Sequence, residues 1–121
     1  MGACQVKKVY LTQCSSFTAR HGHGGQLAEA SHTHHFAYQV TFYGPLNKEG
    51  FLIDFRAVQD FLQHTINPHL DDADLNTLFT NPTTENIAIW IFEQIRQKFP
   101  QIFSVRVAEA PDRWIEYKGE E

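Results

Sequence analysis

Hydrophobic positions alternate along parts of this chain and recur every third or fourth residue along others. Phe36, Tyr38, Val40 and Phe42 are spaced by two, the period of a strand with one buried face. That parity runs back through His34 and His32, so a strand over about 32–43 carries two imidazoles on its apolar side. Upstream, residues 5–21 read as a partner strand with Val9, Leu11, Ser15, Phe17, Ala19 and His21 on one side and Cys14 on the other. Gly22, Gly24 and Gly25 lie in the connecting loop, 22–30. Residues 44–50 are rich in turn formers, and Phe51-Leu52-Ile53 reads as a short apolar strand.

The period then changes. Asp54 is placed to cap a helix whose stripe is Phe55, Val58, Phe61, Leu62 and Ile66, stopping near Asn67-Pro68. Residues 67–82 read as loop. Thr83 caps a second helix, where Ile87, Ile91, Ile95 and Phe99 recur at four-residue spacing and Pro100 ends the run. Residues 102–109 alternate again, Pro111-Asp112 turns the chain, and 114–117 closes a final hairpin. The order predicts a single α+β domain over 1–121, an antiparallel sheet with two helices on one face.

Composition narrows the function. A net charge of -4 with no basic run argues against nucleic acid. No apolar run reaches membrane-spanning length, and no membrane partner is expected. Cys4 and Cys14 form no disulfide framework, and the N-terminus lacks a signal-peptide core, which together read as cytoplasmic. Of the seven histidines, His21, His32 and His34 share the inward parity. Three neutral imidazoles from two strands suit Zn2+ with a fourth position open, the catalytic pattern. His35 has the opposite parity, and His23, His64 and His69 read as surface residues.

Seven signatures fall in order. Phe17-x-Ala19-x-His21, His32-x-His34, Ile53-Asp54-Phe55, Leu70-Asp71, Leu75-Asn76, Pro82-Thr83-Thr84-Glu85-Asn86 and Glu109 together resemble the 6-pyruvoyltetrahydropterin synthase and 6-carboxytetrahydropterin synthase family, from end to end. The resemblance implies the tunnelling fold (T-fold), in which sheets of several subunits make a barrel. It also implies a homohexamer built as a dimer of trimers, and 7,8-dihydroneopterin triphosphate as the small-molecule pterin substrate. His21, His32 and His34 stand at the family's zinc ligands. Glu109 stands at the ring anchor, where a carboxylate can accept two N–H bonds from the aminopyrimidine edge. Thr83 and Thr84 match threonines near the pterin.

The family's catalytic cysteine is absent from Gln26-Leu27-Ala28-Glu29-Ala30-Ser31. Asp71 matches the aspartate of the family's Asp–His relay, and Asp72 occupies the histidine's place. Glu29 lies three residues before His32, as in a branch with Glu-x-x-His-Gly-His that cleaves the substrate side chain, here with Thr33 for glycine. A carboxylate can act as general base when its surroundings raise its pKa. Glu29, Asp71 and Asp72 are therefore the catalytic candidates. The expected activity is a zinc-dependent lyase, 6-carboxy-5,6,7,8-tetrahydropterin synthase of queuosine biosynthesis. The alternatives are cleavage to 6-hydroxymethyl-7,8-dihydropterin, or a catalytically silent pterin- or zinc-binding protein.

Overall fold

A computed structural model describes residues 6–21 and 32–120, and for His21 and His32 it describes the backbone alone. Cys4, the loop 22–30 and Glu29 lie outside the described residues. Two long strands, β1 (Lys8–His21) and β2 (His32–Pro45), pair antiparallel over their whole length, from Lys8 opposite Pro45 to His21 opposite His32. Strands β3 (Ile102–Ala110) and β4 (Arg113–Tyr117) complete a four-stranded antiparallel sheet in the order β1-β2-β3-β4. The β2–β3 register shifts between Thr41 and Phe42, so that Thr41 faces Ser104 and Phe42 faces Ile102. One extra residue on β3 is the signature of a bulge.

The alternation predicted for the strands holds. Phe17, Ala19, Phe36, Tyr38, Val40, Phe42, Val105 and Val107 are buried on one side of the sheet, and Cys14 is exposed on the other. The helices all contribute to the layer over the buried side, and a single apolar cluster joins the two layers. This is the predicted α+β arrangement.

Three local readings change. Residues 51–53 form bends rather than a strand, because Asn47 organises the loop locally. Its Oδ1 accepts the backbone N–H of both Glu49 (3.0 Å) and Phe51 (2.9 Å). Phe55, read as part of the buried stripe, is 49% exposed. The first helix also does not stop at Asn67-Pro68. It runs as α1 (Phe55–Phe61), a π-helical turn (Leu62–Ile66) and α2 (Asn67–Leu70). Proline is tolerated in a first helical turn, where its missing N–H has no intrahelical duty, and the π turn resets the ladder so that Pro68 sits there. A fourth correction is the short helix α3 (Leu75–Leu78) inside the predicted loop, capped by Asp74, whose side chain accepts from the Asn76 N–H.

The two predicted caps are present. Asp54 Oδ1 accepts the Arg56 N–H at 2.9 Å. Thr83 Oγ1 accepts the Asn86 N–H at 3.1 Å and starts α4 (Thr84–Lys98), with Ile87, Ile91 and Ile95 on its buried side. Behind the π turn, Asn67 bridges the two layers. Its Oδ1 accepts the Tyr38 hydroxyl at 2.7 Å, and its Nδ2 donates to Ser15 Oγ at 3.1 Å. Asn67 is the first residue after the π turn, a rare local widening of an α-helix. No helix among the described residues is long and apolar enough to cross a membrane.

Candidate functional site

The inner face of β2 changes chemistry towards its start. Phe36, Tyr38, Val40 and Phe42 are fully buried, whereas the His34 side chain, on the same parity, retains 28% exposure. Glu109 continues the inward parity of Val105 and Val107 near the end of β3. His34 Nδ1 lies 3.7 Å from Glu109 Oε2. Thr84, the first residue of α4, donates through Oγ1 to Glu109 Oε1 at 3.5 Å. The carboxylate therefore sits by the start of a 15-residue helix, where the helix dipole favours negative charge. The structure thus brings together three of the predicted site residues, His34, Thr84 and Glu109.

Register bears on the metal. His21 is directly opposite His32, and Ala19 is opposite His34. Cross-strand partners share a face, and diagonal neighbours lie within reach of long side chains. Positions 21, 32 and 34 are therefore adjacent in the ladder and continue the parity of Ala19 and Phe36. A donor set of three imidazoles with room for a fourth ligand fits zinc. Among the described residues no three His, Cys, Asp or Glu side chains form a metal-holding group, and two of the three predicted ligands, His21 and His32, are not among the side chains described.

Asp71 and Asp72 fall elsewhere, along the outer edge of β1. Asp71 Oδ1 accepts the Thr18 N–H at 3.0 Å, and the Asp72 N–H donates to Thr18 O at 2.7 Å. The Arg20 N–H donates to Ala73 O at 2.9 Å. Asp72 has φ 60°, a left-handed conformation that aspartate tolerates better than most residues. Both side chains are exposed, and the segment covers strand edge that would otherwise present open backbone groups. Thr83 performs the cap and Thr84 the contact with Glu109, so the two adjacent threonines have separate work.

The sequence singled out neither Thr18 nor Trp114 and placed His35 only by its outward parity. Thr18 Oγ1 and His35 Nδ1 share a hydrogen bond of 3.2 Å on the outer face. His35, Glu109 and Trp114 line one cavity of about 210 Å3. The cross-strand pairing of Thr18 with His35 follows from register alone, but Trp114 reaches this place only through the β3–β4 turn.

A four-stranded antiparallel sheet backed by helices, with a carboxylate and an imidazole at one end, defines an α+β protein of T-fold type. The match to known proteins is specific. Residues 10–120 fit the model of the family described as 6-pyruvoyl tetrahydropterin synthase, and the chain belongs to that family. It is 37% identical over 93 residues to the dihydroneopterin monophosphate aldolase of Pyrococcus furiosus, covering 77% of this chain and 80% of that one. It is 30% identical over 105 residues to a putative 6-carboxy-5,6,7,8-tetrahydropterin synthase of Archaeoglobus fulgidus, covering 86% and 90%. In fold it is similar to Caenorhabditis elegans 6-pyruvoyl tetrahydropterin synthase, with TM-score 0.85, 20% identity, and coverage of 98% and 100%. It is likewise similar to a catalytic-glutamate variant of the Plasmodium vivax enzyme, with TM-score 0.77, 16% identity, and coverage of 92% and 97%.

Proposed function

We propose that this protein is a zinc-dependent pterin lyase that cleaves the side chain of a phosphorylated 7,8-dihydroneopterin, leaving 6-hydroxymethyl-7,8-dihydropterin. The observation that carries the reading is the meeting of Glu109 with Thr84 and His34 beside the His21–His32 register pair. It puts the Glu109 carboxylate next to three imidazole positions, which supports its reading as the ring anchor. Cleavage ranks above 6-carboxytetrahydropterin formation for two reasons. Residues 26–31 offer a glutamate and no cysteine, and the Pyrococcus relative, at 37% identity, is named as an aldolase. The catalytic residue altered in the Plasmodium enzyme is also a glutamate. The Archaeoglobus relative favours the carboxy product, which is the second reading.

Zinc held by His21, His32 and His34 would supply Lewis acidity that lowers the pKa of the side-chain hydroxyls. The chain's own residues do the rest. Glu109 accepts two N–H bonds from the aminopyrimidine edge and fixes the ring, with Thr84 orienting the carboxylate. Glu29 removes the proton of the C2′ hydroxyl. The C1′–C2′ bond breaks, its electron pair passes into the ring C6=N5 imine, and C2′ leaves as an aldehyde. Reprotonation at C1′ completes the 6-hydroxymethyl product. Asp71 and Asp72 contribute by holding β1 at Thr18, three residues before His21. The assembly that accompanies this reading is a homohexamer, a dimer of trimers with a barrel of sheets, acting in the cytoplasm.

Product analysis by mass spectrometry after incubation of zinc-loaded protein with 7,8-dihydroneopterin mono- or triphosphate tests the reading. A 6-hydroxymethyl product is expected, and Glu29→Gln should lower turnover by roughly 10²–10⁴-fold while leaving pterin binding intact. A 6-carboxy product would install the second reading instead.

A further inference from the structure

The two longest strands outrun the rest of the sheet. Among the described residues β3 joins β2 from Ala37 onward, where Ala37 faces Ala108, whereas β1 and β2 stay paired as far as His21 and His32. Residues 17–21 and 32–36 therefore form a two-stranded arm beyond the β2–β3 ladder, and the three imidazole positions all lie on it. A two-stranded ribbon is marginal by itself in water and opens from its end. Metal ligands carried on such an arm need a third support.

The residues after the π turn supply it along the outer edge of β1. Asn67 grips the foot of the arm, because Ser15 and Tyr38 are cross-strand partners and its one amide bonds both. Oδ1 accepts the Tyr38 hydroxyl at 2.7 Å and Nδ2 donates to Ser15 Oγ at 3.1 Å. A primary amide suits this place, since it carries an acceptor and a donor on one short side chain. Leu70, fully buried, seats the segment in the core. Further along, Asp71 Oδ1 accepts the Thr18 N–H at 3.0 Å, the Asp72 N–H donates to Thr18 O at 2.7 Å, and the Arg20 N–H donates to Ala73 O at 2.9 Å. Arg20 and Asp74 then form a parallel bridge, and the next residue of β1 is His21.

We propose that residues 67–74 are a strap that serves the arm as its third strand, with Asn67 and Asp71 as positioning residues that hold the three imidazole positions in one geometry. The inference rests on the zinc reading above and deepens it, because both residues act on the ligands through β1 rather than on the metal. The two fasteners divide the work. Asn67 sets where the strap starts along the arm, and Asp71 closes it three residues short of His21. The Asp71 carboxylate serves here as an acceptor for a backbone N–H, a duty that asparagine can also perform.

Zinc affinity of the full-length protein, measured by competition with a chromophoric chelator, should fall about tenfold in Asn67→Ala and in Asp71→Ala, the low end for loss of a residue that orients metal ligands. Asp71→Asn, which keeps the acceptor, should restore it; a loss equal to that in Asp71→Ala would remove Asp71 from the strap. Ile95→Val, in the core on α4 and outside the strap, should lower urea stability and leave zinc affinity alone. Hydrogen exchange gives a reading that needs no metal. Amides of residues 17–20 and 33–36 should exchange faster in the two alanine variants, while those of 103–107 keep their protection. Wild-type zinc affinity together with unchanged exchange of the arm in both alanine variants would overturn the strap and leave the zinc reading standing. Faster exchange of the arm in the variants of a protein that binds no zinc would keep the strap and overturn the zinc reading.

Discussion

One strand face of this protein does two jobs. From Phe36 to Phe42 the inward side chains of β2 are fully buried under the helices, and their neighbours Val105 and Val107 are as apolar as they are. At His34 the same parity meets a carboxylate and a threonine hydroxyl, and the side chain keeps 28% exposure. Between the two regions neither the backbone geometry nor the alternation changes. What changes is the cover, since helical side chains close over the first region and, among the described residues, the start of α4 reaches the second. A site can therefore be made by letting a core-facing pattern run past its cover, so that the His34 imidazole and the Glu109 carboxylate inherit the rigidity of the core.

The largest effect expected from this comparison is a split between stability and ligand binding. Phe36 stacks on Phe17 with ring centroids 4.9 Å apart, so Phe36→Ala should cost about 3–5 kcal/mol in urea unfolding. His34→Ala, one alternation away, should leave the midpoint within about 0.5 kcal/mol, as for a part-exposed position, and abolish stoichiometric zinc. Equal destabilisation by the two would mean that the two halves of the face are one structural unit.

The comparison also explains what the sequence made legible. Period-two spacing identifies Phe36, Tyr38, Val40 and Phe42 because strand geometry turns every second residue the same way, and it carries to His34 without further information. Four-residue spacing does the same for Ile87, Ile91 and Ile95. Periodicity failed where a local side chain overrides it. Asn47 kept 51–53 from pairing, and the π turn carried the helix through Pro68. The outer face was read only at Cys14 and His35, because uncovered positions impose no hydrophobic pattern. The Thr18–His35 bond and the Trp114 wall therefore had no sequence signal beyond register. Glu109, by contrast, needed the family resemblance to stand out from other exposed-strand acids.

Within the covered region, Tyr38 provides the next test. Burial raises its hydroxyl pKa from 10.0 to about 12, with the nearby Ser15 hydroxyl acting weakly in the opposite direction. Below pH 10 both folded and unfolded chains keep the proton, so the group is neutral in the balance. Between pH 10 and 12 the unfolded chain ionises first and the folded state loses ground, by about 3 kcal/mol in all. Urea midpoints measured across that range should fall more steeply for the wild type than for Tyr38→Phe. Parallel slopes would show that Tyr38 is not held in the protonated state by the fold.

In the uncovered region, Glu109→Gln keeps the shape and one acceptor but loses the charge. Hydrogen bonds to charged groups contribute about 1.5–3 kcal/mol, so dihydroneopterin affinity should fall roughly 10–150-fold by calorimetry while urea stability stays put. A matching loss of stability would move Glu109 from the site to the framework.

The smallest effect separates two adjacent residues. Thr83 spends its hydroxyl on the Asn86 N–H, and Thr84 directs its own to Glu109. Thr83→Ala should cost about 1 kcal/mol of stability as a lost cap with pterin affinity unchanged, and Thr83→Ser should restore the stability. Thr84→Val, nearly the same in shape, should do the reverse, leaving the helix as stable as before and weakening pterin binding by severalfold through a less firmly oriented carboxylate. If Thr83→Ala weakened the ligand instead, the cap itself would belong to the site, and the border between framework and chemistry would lie one residue earlier in the chain.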